Sequence, residues 1–313
     1  MINKKIQSFT LIEILVVIVI VGILSSFIIV GMSSLSSKAD TAKVQVWANG
    51  LRNSGLTSIV SEWKFQGTTA DGSPALAVDA VDSWGSNTGI VAVTPPNVET
   101  SDCSLGRCVE FVGGADFIRI ADSSSLAMGS KMSAFVWVKG ADQDDKGIFA
   151  HYDETSNQRS WAIATSGASA SKLRVALSGD GNTATYYKPY VSSEVILDSK
   201  WHYVGFTYSG DTLNVYIDGS AATIPSPVDT GTMTSLHNST SSASIGSFTN
   251  VAALAKGFTG NIDDAILFNE AVTVSEVQRQ YFSGLNNLLA KGQITNNEYN
   301  ERISLLNDSL GSK

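Results

Sequence analysis

Apolar positions run almost unbroken through the start of the chain. From Leu11 to Val30 the one charged residue is Glu13, and about 20 apolar residues suffice for a helix to cross a bilayer core. Lys4 and Lys5 precede the run, and few charges follow it closely. This asymmetry predicts a cytoplasmic amino terminus with the bulk of the chain outside. Beyond Gly31 the pattern becomes amphipathic. Val44, Trp47, Leu51, Leu56, Ile59 and Val60 recur at mostly three- and four-residue steps, with Lys38, Asp40, Lys43 and Arg52 between them. That spacing predicts the same helix continuing to about residue 60, one stripe packed on a globular head.

From Ser61 the period is two. Met132, Ala134, Val136 and Val138 alternate with Ser133, Phe135, Trp137 and Lys139, and 203–208 and 213–217 flank Ser209-Gly210-Asp211 as a hairpin. Many short strands, parted by Gly, Asn, Asp and Ser without intervening helices, predict an all-β antiparallel sandwich or jelly roll. After Gly284 the apolar stripe of Leu288, Leu289, Ile294, Tyr299, Ile303 and Leu306 marks a short helical hairpin packed on the head or a neighbour. Gly292 is placed to stop its first helix, and Thr295 with Glu298 to cap its second.

Glu13 demands an explanation, because a carboxylate in hydrocarbon costs roughly 2.5–3.5 kcal/mol on insertion scales. The run Ser8-Phe9-Thr10-Leu11-Ile12-Glu13, followed by the apolar segment, resembles the amino terminus of type IV prepilins and pseudopilins. The resemblance implies that a prepilin peptidase removes a leader, residues 1–8, and methylates the new amine of Phe9. Ser8 stands where the family usually has Gly. Residues 9–60 then form a pilin-type helix with its membrane span at about 11–30. In a filament the Glu13 carboxylate of one subunit faces the Phe9 amine of another, so the charge is disfavoured alone and paired in the polymer. An ordinary secretory signal peptide is the simpler alternative for the same run.

The stretches "CVEFVGGADFIRIADSSSL", "MSAFVWVKG", "WHYVGFTYSGDTLNVYIDG" and "FTGNIDDAILFNEAVTVSEVQRQYFSG" resemble, in order and spacing, the laminin G-like, concanavalin A-like jelly roll of bacterial surface proteins. This sets residues 61–284 as the jelly-roll domain and 285–313 as the C-terminal helical segment. Such domains are mostly sugar- or ligand-binding modules. The resemblance also implies one structural calcium ion tying an early loop to the last strand, with Asp82 and Asp263 as its candidate ligands. Asp142, Asp144 and Asp145 lack the spacing of a calcium loop and read as a solvated turn.

A formal charge of −8 and a pI near 4.9 exclude a nucleic-acid partner, since phosphate recognition needs a basic face. Cys103 and Cys108 suit a local disulfide in an oxidising compartment better than a zinc site. Gly106 between them can supply a positive-φ turn. The paired-carboxylate pattern of glycan hydrolases, the nucleophile elbow and the metalloprotease helix are all missing from the sequence, and the chain reads as a non-enzyme. Trp84, Trp161, Trp201, Tyr186, Tyr187 and Tyr190 are the candidates to stack on sugar rings. Trp137 and Trp201 read as core, and "YYKPY", 186–190, as an exposed aromatic loop.

The expected protein is therefore a type IV pilin-like filament subunit displaying a lectin-like head for glycan or surface adhesion. Its partners are other pilin subunits, the prepilin peptidase, the cytoplasmic membrane and a surface glycan. It sits in the inner membrane as a single-pass protein and reaches the cell surface in the filament. A type II secretion pseudopilin contacting exported cargo is the alternative, and a surface-displayed glycan hydrolase the third reading.

Overall fold

The computed structural model divides the chain into two compact units, Met1–Asn53 and Ser54–Lys313. It describes residues 11–12, 15–16 and 18–20 of the first unit. In the second it describes 56–311 except 92–93, 168–170, 184–186, 211, 226–232 and 249–255. The described residues of the first unit are helical, with exposed apolar side chains. Among the described residues no helix is long and apolar enough to cross a membrane. Most of the predicted span, Glu13 with it, and the processing residues Ser8 and Phe9 lie outside them.

Fifteen strands are described in the second unit. They are β1 (Ile59–Trp63), β2 (Ile90–Val91), β3 (Asn97–Glu99), β4 (Cys108–Val112), β5 (Ile118–Ile120), β6 (Lys131–Lys139), β7 (Gly147–Asp153) and β8 (Gln158–Thr165). Then come β9 (Lys172–Ser178), β10 (Tyr187–Val195), β11 (His202–Ser209), β12 (Thr212–Ile217), β13 (Ser220–Ala221), β14 (Ala243–Ile245) and β15 (Thr259–Phe268). Two helices follow, α1 (Val274–Ala290) and α2 (Asn296–Gly311). One sheet runs β13-β12-β11-β6-β15-β4-β3, with β1 added on β15; the other runs β10-β9-β8-β7-β14-β5-β2. All strand pairs are antiparallel, and the architecture is the expected sandwich.

The alternation in β6 explains the layering. Met132, Ala134, Val136 and Val138 enter the core between the sheets, packed with Ile163, Val175 and Phe206. Phe135 and Trp137 face the other way and meet Val277, Tyr281, Leu285 and Leu288 of α1. Gly284 makes that close approach possible, since a Cβ there would lie 2.2 Å from the Trp137 ring. Trp137 and Tyr281 stack with centroids 5.7 Å apart. Ile294 and Leu306 bury against the same cluster, so the helical hairpin covers the outer face of the eight-stranded sheet.

Two expectations are corrected. The helical stripe does not reach residue 60: Ile59 and Val60 open β1, where Ile59 faces Phe268. β-branched residues favour a strand once a partner is available. The first C-terminal helix, expected after Gly284, begins earlier: the strands end at Phe268 and α1 starts at Val274. Thr273 caps α1 by accepting from the Glu276 amide, and Val277, Tyr281, Leu285 and Leu288 form its apolar stripe.

Candidate functional site

The predicted disulfide is present: Cys103 and Cys108 are bonded, with Cα atoms 5.4 Å apart. Gly106 has φ +58°, as a turn of that size requires. The loop is held by remote groups. Asp263 Oδ2 accepts from Ser104 Oγ at 2.8 Å and from the Leu105 amide at 2.6 Å. The Lys291 ammonium reaches the Gly106 carbonyl at 2.7 Å. Gln66 Nε2 donates to the carbonyls of Leu105 (2.8 Å) and Arg107 (3.0 Å).

Asp263 and Asp82, the two candidate calcium ligands, use their oxygens on N–H and O–H donors. Asp263 is fully buried, and its Oδ1 accepts from the Asp264 amide at 2.8 Å. Burial, reinforced by neighbouring Asp264, pushes its carboxyl well above the usual range. Asp82 accepts four backbone amides: Glu62 (3.0 Å), Trp84 (3.0 Å) and Gly85 (2.8 Å) on Oδ1, and Asn87 (2.9 Å) on Oδ2. Burial raises its pKa, but these amides outweigh burial and hold it below the usual carboxylate range. N–H groups aimed at an oxygen repel a cation. Among the described residues no group of three or more His, Cys, Asp or Glu side chains is placed to hold a metal. Asp82 is an organiser of the "DSWGSNTG" loop.

That loop is locked from behind. Asn87 donates to Ser61 Oγ (2.7 Å) and Ser125 Oγ (2.8 Å), accepts from Ser123 Oγ (2.7 Å), and its carbonyl takes the Trp63 indole N–H (2.9 Å). A rigid base therefore carries Trp84. Of the described tryptophans, Trp63, Trp137, Trp161 and Trp201 are buried, while Trp84 is 43% exposed. The next residue back, Ser83, lines a cavity of about 300 Å³. Its walls come from two segments, Lys64 to Thr68 after β1 and Val78 to Ser83 around the 3-10 turn Ala77–Ala80. Leu76, Val78 and Val81 are exposed beside it, an apolar ledge of the kind that marks an interaction surface.

Asp79 lines the same cavity and is 1% exposed. Its Oδ2 accepts from the Leu76 amide at 2.8 Å and from Thr69 Oγ1, while its Oδ1, buried against Gly67, has no hydrogen-bond partner among the described residues. Lys64 lines the cavity too, but pairs with Glu62 at 3.0 Å.

The tyrosine cluster is not an exposed loop. Tyr187, Pro189 and Tyr190 lie in β10, paired with β9, at the edge of the seven-stranded sheet. An edge is where a strand tolerates proline. Tyr190 packs on the main core. Tyr187 packs on a separate cluster of Ala150, Tyr152, Ala162, Ala164, Ala176 and Phe248, and the Tyr152 hydroxyl donates to its hydroxyl at 3.2 Å. The two rings thus serve opposite faces and form no common platform. Tyr186 lies outside the described residues. In the acidic turn, Asp145 pairs with Arg174 and Lys256, and Asp142 accepts from Ser171.

A family model described as the concanavalin A-like lectin/glucanases superfamily matches residues 112–278, just over half of the chain. The chain belongs to this superfamily. A second model, the prokaryotic N-terminal methylation motif, matches residues 3–29, so the lectin-like head shares a chain with a type IV pilin-like amino terminus. That motif implies membrane anchoring. No curated protein matches. Among solved structures, domain 4 of a GH43 extracellular arabinanase from Geobacillus stearothermophilus is similar at 18% identity and a TM-score of 0.47, covering 71% of this chain and 97% of that one. The receptor-binding domain of a botulinum neurotoxin C/D mosaic gives 12% identity, a TM-score of 0.51, and coverage of 74% and 52%. The serotype G binding domain gives 14%, 0.50, 72% and 51%. The chain spans about half the length of these neurotoxin domains, and the likeness is one of fold.

Proposed function

We propose that the chain is a type IV pilin-like filament subunit presenting a non-catalytic head that binds a surface glycan. The observation that carries this reading is the union, on one chain, of the methylation motif with a lectin/glucanase-superfamily sandwich. The leader, residues 1–8, is removed before Phe9, and Glu13 registers the subunit against the amine of its neighbour. The glycan contact is assigned to exposed Trp84, with the cavity lined by its chain neighbour Ser83 as a second contact, because the opposite faces of the sheets are taken up. Helices α1 and α2 cover one, and Phe248, Tyr152 and Tyr187 fill against the other. An exposed indole on a rigid loop offers a sugar ring an apolar face, and Gln66, Thr68 and Ser83 line the cavity with polar groups.

Glycan-array binding by the purified protein, lost in Trp84→Ala and retained in Tyr187→Phe, supports the assignment. Release of reducing sugar, abolished by a single Asp or Glu substitution, contradicts the non-catalytic reading. The apolar ledge of Leu76, Val78 and Val81 suits a protein surface as well, and is the feature that favours the pseudopilin alternative, in which exported cargo docks there.

A further inference from the structure

We propose that the Cys103–Cys108 disulfide is a redox latch for helix α2. The closed loop is the socket in which the α1–α2 turn seats, so α2 docks on the head only in the oxidised chain. Three observations carry this. The first is where the loop's carbonyls point. Lys291, the C-cap of α1, donates its ammonium to the carbonyls of Gly106 at 2.7 Å and Cys103 at 3.3 Å. Gln293, on the same turn, donates to the Ser101 carbonyl. Bonds from an ammonium are stronger than neutral ones, but they need the carbonyls held in one arrangement. Opening the cross-link returns conformational freedom to the loop, and ordering it again opposes the seating of the turn.

The second observation is the unequal burial of the two helices. In α1, Val277, Tyr281, Leu285 and Leu288 are 0–1% exposed. Among the described residues of α2, Leu306 is the one buried side chain, and Leu305 beside it is 64% exposed. The other ties of α2 include Arg302 to the Trp201 carbonyl at 2.8 Å and the Tyr299 hydroxyl to Asn286 at 2.9 Å. An element with few buried apolar contacts opens at lower free energy than the rest of its fold. Loss of the turn's anchor therefore acts on α2, while α1 and the sandwich hold.

The third is the burial of the sulfurs. Cys103 and Cys108 are 0% exposed and share one apolar cluster with Leu288, Ile294 and Leu306. A thiolate must reach a sulfur to open the bond, which here requires that cluster to part. Seating of α2 protects the disulfide, and the disulfide seats α2; a coupling of this kind is reciprocal. Closing the latch takes two protons and two electrons from the two thiols, and an oxidised disulfide donor accepts both and leaves as a dithiol. Such chemistry belongs to compartments outside the cytoplasm, so the helical cover of the head is completed after export. That timing rests on the proposed pilin-type reading; the coupling of loop to helix does not.

The test is hydrogen–deuterium exchange of the full-length chain in detergent, read by mass spectrometry, with the disulfide intact and after reduction by a phosphine. Peptides covering 294–306 should exchange about tenfold or more faster in the reduced chain, while peptides from β6, β8 and α1 keep their protection. The double variant Cys103→Ser, Cys108→Ser should match the reduced chain. Lys291→Met keeps an apolar stem and removes the ammonium. It should loosen 294–306 with the disulfide intact and speed the loss of the disulfide to dithiothreitol. Should the double variant fail to fold, the reduced unmodified chain and Lys291→Met decide. Equal exchange of 294–306 in both redox states would overturn the latch. So would loosening spread evenly over the strands, which would make the disulfide a staple of the whole head. Neither result touches the mature terminus at Phe9, so the pilin-type reading stands or falls separately.

Discussion

Asp82 Oδ1 accepts the backbone N–H of Trp84 at 3.0 Å, and three further amides converge on the same carboxylate. The exposed indole therefore depends on a buried anion for its position. Asp82→Ala strands those donors and should cost about 2–4 kcal/mol, taking each unsatisfied buried group at about 1–3 kcal/mol with partial relief by water. Urea denaturation measures the loss. Because amides and not a cation satisfy Asp82 and Asp263, chelation should leave the melting temperature unchanged. A drop on adding a chelator would restore the calcium reading.

The disulfide closes a small loop that Asp263, Lys291 and Gln66 hold from three directions. Replacing Cys103 and Cys108 by serine should cost about 2 kcal/mol by loop-closure entropy. Asp263→Ala should cost at least as much, since it leaves the Ser104 hydroxyl and the Leu105 amide without an acceptor. A double-mutant cycle between the two changes should show coupling, because both act on one loop.

Stability should fall as pH rises above 6.5. Burial pushes Asp116 up to about 6 from 3.8, against the Val112 amide that lowers it. Its protonated form is favoured in the fold, so its contribution is complete below 3.8 and lost as pH rises through about 6. Burial lowers His202, but Asp218 at 2.7 Å and Asp198 at 3.1 Å outweigh it and push it up to about 9 from 6.5. That contribution is complete below 6.5 and lost as pH rises through about 9. Asp198, lowered to about 2 chiefly by its bond to His202, acts oppositely, its share lost as pH falls below 3.8. Burial holds the His151 imidazole below its usual range, a share lost as pH falls below 6.5, so melting temperatures should decline most clearly from pH 6.5 to pH 9, and Asp116→Asn should raise stability near neutral pH relative to the unmodified chain.

Much of the sandwich is legible in the sequence because period-two alternation has one structural solution on a buried sheet. Residues 132–139 show it, with Phe135 and Trp137 pointing to the helices as strictly as Val136 and Val138 point to the core. Ile59 and Val60 mislead because an i, i+1 β-branched pair fits either a helix stripe or a strand, and only the partner Phe268 decides. Helix α1 carries a readable stripe at 277, 281, 285 and 288, hidden by its place directly after a strand. At the site, Asp82 is legible as a functional oxygen, but sequence does not tell whether amides or a cation approach it. Asp79 and its cavity have no sequence signal, since the two segments that build it meet through contacts with no sequence pattern, such as Trp63 with Asp82 and Thr69 with Asp79.

Processing at the amino terminus should leave a mature chain beginning at N-methylated Phe9, read by intact mass and terminal sequencing. Glu13→Ala and Glu13→Gln should insert into the membrane normally and enter filaments poorly, because insertion favours loss of the charge while assembly uses it. A terminus beyond the apolar run, or normal incorporation of both variants, contradicts the pilin-type assembly.

The most direct test of the account is glycan binding by intact filaments, compared between unmodified subunits and Trp84→Ala. The exposed indole can be removed without disturbing the buried core, so assembly and melting temperature should be unchanged. Affinity for the bound glycan should fall about five- to thirtyfold, the loss of a stacked ring at about 1–2 kcal/mol. Unchanged binding by Trp84→Ala filaments, or filaments that bind no glycan at all, would contradict the claim that this head is a glycan-binding module presented on a pilin-type stem.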